Sequence, residues 1–81
     1  MSDKHLNARG LLAKHAAKGL PLYGNIVNML FTRGYRLLHS ELGEISTFEL
    51  EGEGVRVLLE RTIVNDKPIF DIIGFEEVED R

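Results

Sequence analysis

The spacing of apolar residues in this chain changes once, at Gly34, and that change limits its fold more than any other feature. Before Gly34 they recur every three or four positions. After it they recur every second position, which divides the chain into a helical part and an all-strand part.

Within the helical part, Ala8, Leu11, Leu12, His15 and Ala16 form one stripe, so a helix is expected over about 3–18. Ser2 or Asp3 supplies a side-chain oxygen to cap its first turn. Gly19 ends this helix, and Pro21 opens the next where its missing N–H is no loss. A second helix over about 21–33 carries Tyr23, Ile26, Val27, Leu30 and Phe31, with Leu22 and Met29 on another side. No charge falls between Leu20 and Thr32, so burial on more than one face is expected.

The strand part reads as four segments, about 35–40, 45–51, 55–64 and 68–78. They are joined by 41–44, by a tight turn within Gly52-Glu53-Gly54, and by Asn65-Asp66-Lys67. Connections this short favour antiparallel neighbours. The expected architecture is α+β: two N-terminal helices packed on a four-stranded antiparallel β-meander, as one domain over 1–81.

Register follows from the turns. A two-residue turn using one of the glycines at 52 or 54 puts Phe48 and Leu50 on one face with Val55, Val57 and Leu59. A three-residue turn at 65–67 would pair Ile63 with Ile69, Arg61 with Asp71, Leu59 with Ile73 and Val57 with Phe75. The other face then gathers Leu58, Val64, Phe70 and Ile72 among glutamates. An apolar patch with a polar rim is the expected anatomy of a protein interface. Leu22 and Met29, on the spare side of the second helix, offer a second surface for the same purpose.

Size points the same way. An 81-residue chain without cysteine has no disulfide and sits near the lower limit for a self-sufficient core, so a partner would help it. The reading is a small acidic, non-catalytic protein-interaction module, self-associating as a dimer or acting on another protein as an inhibitor or adaptor. No cofactor or metal is expected. The first ten residues lack the apolar run of a secretory signal, and the longest uncharged stretch is too short to span a bilayer. A cytoplasmic location without membrane association is therefore expected.

Charge suggests an alternative. Residues 1–40 hold six cations against Asp3 alone, whereas 41–81 hold four against twelve acids. Lys14, Lys18, Arg33 and Arg36 would form a phosphate-facing surface in a nucleic-acid-binding regulator. The second helix, however, offers only Asn25 and Asn28 to base edges, which disfavours nucleic acid.

Catalytic signatures are weaker. His5, His15 and His39 lack metal-ligand spacing, and His15 sits inside the helical stripe. His39 and Ser40 are strand neighbours that point to opposite faces. Gly52-Glu53-Gly54 has no following Lys, Ser or helix to cradle phosphate. A ribonuclease-like hydrolase remains a second alternative on element order alone.

Overall fold

The computed structural model describes residues 8–78. Its elements are α1 (Ala8–Lys18), β1 (Leu22–Tyr23), α2 (Ile26–Thr32), β2 (Arg36–Glu41), β3 (Ser46–Gly52), β4 (Val55–Val64) and β5 (Lys67–Glu77). The fold is α+β, with two helices and a five-stranded antiparallel sheet in the order β1-β5-β4-β3-β2. The expected meander forms its last four strands. The proposed cap at Ser2 or Asp3 lies outside the described residues.

The fifth strand comes from the start of the expected second helix. Leu22 pairs with Phe70 and Tyr23 with Ile69. Pairing here satisfies backbone groups on the outer edge of β5 and buries Leu22, while Tyr23 turns outward at 67% exposure. Gly24, at φ 79°, then turns the chain into α2 in a conformation that few other residues adopt. Only seven residues of the expected thirteen remain helical.

One core joins the layers. Leu12 of α1 and Ile26 and Leu30 of α2 pack with Leu50, Val55, Val57, Leu59 and Phe70 on one sheet face. Tyr35, just before β2, belongs to the same cluster. The expected alignment of Phe48 and Leu50 with Val55, Val57 and Leu59 follows from the 53–54 turn, where Gly52 faces Val55.

The β4–β5 hairpin differs from expectation. Its turn has two residues, Asn65 and Asp66, both in the left-handed region at φ 54° and 66°. Asn and Asp tolerate that region better than other side chains, which makes the tighter turn accessible without glycine. Near the turn, Ile63 therefore faces Pro68, Arg61 faces Phe70 and Leu59 faces Ile72. An irregularity then intervenes: Leu58 pairs with Gly74, leaving Ile73 as an extra residue. Beyond it the expected Val57–Phe75 pair appears.

The tighter turn corrects the face assignment between it and the bulge. Phe70 is 6% exposed in the core, and Ile72 is partly buried with Phe75 against it. Glu60, not Arg61, faces Asp71.

The same geometry yields a prediction. Deleting Ile73 leaves every other β4–β5 partner in place, because the lost residue has no partner of its own. The shortened chain is expected to melt cooperatively, within about 1 kcal/mol of the parent. Non-cooperative melting, or a loss several times larger, would show that the bulge is required for packing.

Candidate interaction surfaces

An antiparallel sheet exposes backbone donors and acceptors at its two outer edges. One edge is β5, closed over Ile69 and Phe70 by β1, with α1 packed against the same strand. The other is β2, Arg-Leu-Leu-His-Ser-Glu, whose six residues are all exposed. Leu37 and Leu38 are exposed there, and the loop beyond adds Leu42 at 76% and Ile45 at 56%. Glu41 and Glu44 flank this loop in sequence. Exposed apolar side chains with acids beside them in sequence are therefore present, on different residues from those expected.

The expected interface residues do not come together. Leu22 and Phe70 face each other in the core. Ile72 points to the same side, whereas Leu58 and Val64 lie on the opposite sheet face. Met29 belongs to the helical layer, where it borders a shallow cleft with Leu11, His15 and Ile26. What sequence reasoning missed was Leu37 and Leu38. Two adjacent apolar residues in one strand cannot both face a core, and that was the available signal.

β2 also carries an irregularity. Leu37 pairs with Leu50 and His39 with Glu49, so Leu38 is an additional residue between them. Consequently Arg36, opposite Glu51, and Glu41, opposite Thr47, emerge on the same sheet face although five positions apart. In a regular strand they would point to opposite faces.

The free sheet face is charged. Arg56 lies 3.0 Å from Glu76, 3.7 Å from Glu51 and 3.9 Å from Glu49, and Arg36 lies 3.2 Å from Glu51. Pairs this exposed contribute at most about 1 kcal/mol each.

A tighter cluster ties α1 to the β3–β4 turn. Tyr35 donates its hydroxyl to Glu53 Oε1 at 2.7 Å, and the Arg9 backbone N–H donates to the same oxygen at 2.8 Å. The Arg9 guanidinium reaches Glu77 at 3.0 Å. Burial, reinforced by the hydrogen bond and charge of Glu53, holds the Tyr35 hydroxyl well above its ordinary pKa. The residues of this cluster knit the fold together; they enclose no nucleophile paired with a base.

The basic residues of the alternative reading are dispersed. Lys14 and Lys18 are exposed on α1, which packs on β5. Arg33 caps the C-terminus of α2, and Arg36 lies in β2 at the far end of the strand order, paired with Glu51. His15 Nδ1 lies 3.2 Å from the Pro21 carbonyl and His39 Nε2 3.4 Å from Glu41, while His5 falls outside the described residues. Among the described residues no three His, Cys, Asp or Glu side chains are placed to hold a metal. Nor is any described helix long and apolar enough to cross a membrane. Comparison with protein-family models, curated proteins and solved structures finds no match for the chain.

Proposed function

We propose that this chain is a non-catalytic protein-interaction module that pairs with a second copy of itself through β2. The observation that carries the reading is a full-length exposed edge strand whose charges complement its own antiparallel image. Aligned about a twofold axis, Arg36 of each copy faces Glu41 of the other, and Leu37 faces Ser40. The extra Leu38 makes this alignment possible, since it brings Arg36 and Glu41 onto one face. Main-chain hydrogen bonds would extend the sheet across the axis, and Leu42 and Ile45 supply apolar area beside it. Bulges and charges ordinarily guard an edge against indiscriminate pairing. Here they favour one mate with matching charges over others.

Light scattering over low to high micromolar concentrations provides the test. The wild type is expected at twice the chain mass of 9.2 kDa at the upper concentrations. Arg36→Glu removes two cross-strand pairs and sets like charges opposite each other, weakening the dimer by about tenfold or more. The exchange Arg36→Glu with Glu41→Arg restores the match and is expected to recover association. A wild type that stays monomeric throughout, or an exchange variant no better than Arg36→Glu, overturns the reading.

A further inference from the structure

Arg61 stands apart from the arginines around it. Arg9, Arg36 and Arg56 each have a carboxylate within 4 Å. Among the described residues Arg61 has none, although the chain carries more acids than bases. Register explains this. On the face where Arg61 projects, its cross-strand neighbours are Ser46 and Phe70, while adjacent Glu60 and Asp71 point to the other face.

The guanidinium is half-buried and held in place. Nη2 donates to Ser46 Oγ at 3.1 Å, and the carbon at its centre sits 5.6 Å from the middle of the Phe48 ring. Ser46 is fully buried and shares its hydroxyl with the backbone of Gly43, so its position is set independently of the arginine. The other guanidinium N–H groups find no acceptor among the described residues. Arg61 lines a cavity of about 240 Å³ whose walls include Asn25 and Asn28 from the α2 segment and Phe48, Pro68 and Phe70 from the sheet.

We infer that this cavity binds a small monocarboxylate with a flat apolar body. A guanidinium offers parallel N–H groups that match a carboxylate's two oxygens. One cation balances one negative charge, whereas a phosphate dianion calls for a second cation, which the walls do not hold. The volume suits a ligand of benzoate size, with Phe48 and Phe70 providing aromatic surface and the two asparagines lateral donors. The site lies on the covered sheet face at the β4–β5 hairpin, so it is independent of pairing through β2.

The probes are benzoate, acetate and inorganic phosphate, added to ¹⁵N-labelled full-length protein and followed by amide chemical shifts. Benzoate is expected to shift the Asn25, Asn28 and Arg61 resonances with a Kd of about 1 mM. Acetate is expected to bind more weakly and phosphate weaker still. Arg61→Gln should weaken benzoate at least about tenfold while keeping the native spectrum elsewhere. Arg61→Lys, which retains the charge without the fork, should fall between the two. Equal benzoate affinity in Arg61→Gln, or shifts scattered over the surface, overturns the site. Phosphate binding as tightly as benzoate overturns the carboxylate assignment.

Discussion

Replacing Gly52 with alanine is expected to lower the melting temperature by about 10–20 °C, on the scale of a domain this size losing about 2–3 kcal/mol. The added methyl would lie 2.6 Å from Tyr35 Cγ, 2.8 Å from its Cδ1 and 2.9 Å from its Cα. Those atoms belong to a buried ring base and a backbone, so no flexible side-chain end can move aside. Tyr35 is anchored from the other end by its hydroxyl on Glu53, and displacing the ring breaks that contact too. Gly10→Ala provides the control of opposite sign. It lies in α1 with nothing within 4 Å of the added carbon, so removing a helical glycine is expected to stabilise by about 0.5–1 kcal/mol. Thermal melts of both variants by circular dichroism settle the pair. A Gly52→Ala protein as stable as its parent would mean that Tyr35 packs elsewhere in solution.

The alternation after Gly34 made the four-strand meander readable because β3, β4 and β5 each bury one face in the core. Val55, Val57 and Leu59 could be placed inward from period alone. Two features escaped for identifiable reasons. Leu22 and Tyr23 are too few to show a period, and their pairing with β5 is decided by a distant edge rather than by neighbours in sequence. The bulge at Ile73 is invisible to alternation because Ile72-Ile73 is apolar in either register. A three-residue turn in place of the two-residue one moves every β5 side chain between the turn and the bulge to the wrong face.

That single slip also displaced the expected interface. A three-residue turn sets Phe70 and Ile72 outside among glutamates, whereas the tighter Asn65-Asp66 turn returns both to the helix side. A three-residue turn pairs Arg61 with Asp71, whereas the tighter one separates them and leaves Arg61 lining a cavity. The exposed apolar surface at Leu37, Leu38, Leu42 and Ile45 was harder to read for a different reason. Strand order decides which strand lies at an edge, and the adjacent pair Leu37-Leu38 reports only that one of the two lies off the core. The acidic flank around that surface was legible, since Glu41 and Glu44 sit beside Leu42 in the sequence.

Stability should decline steeply at alkaline pH through Tyr35. Desolvation comes first among the causes that raise its hydroxyl pKa, followed by the Glu53 hydrogen bond and charge, with Arg9 opposing them. In the unfolded chain a tyrosine titrates near about 10. Above that value the unfolded state releases its proton while the folded state retains it, so unfolding becomes more favourable as pH rises. The contribution is fully present below about pH 10 and is lost at up to about 1.4 kcal/mol per pH unit as pH climbs toward the raised folded value. Tyr35→Phe removes the titrating group. It is expected to be less stable near neutral pH, because Glu53 Oε1 loses a donor worth about 1.5–3 kcal/mol, yet flatter above pH 10. The two proteins differ only in this hydroxyl, so the difference between their urea midpoints from pH 8 to 11.5 isolates the tyrosine. The two curves should converge as pH rises. Parallel curves would show that the hydroxyl is exposed to water in the folded protein, and that α1 is not tied to the β3–β4 turn through Tyr35 and Glu53.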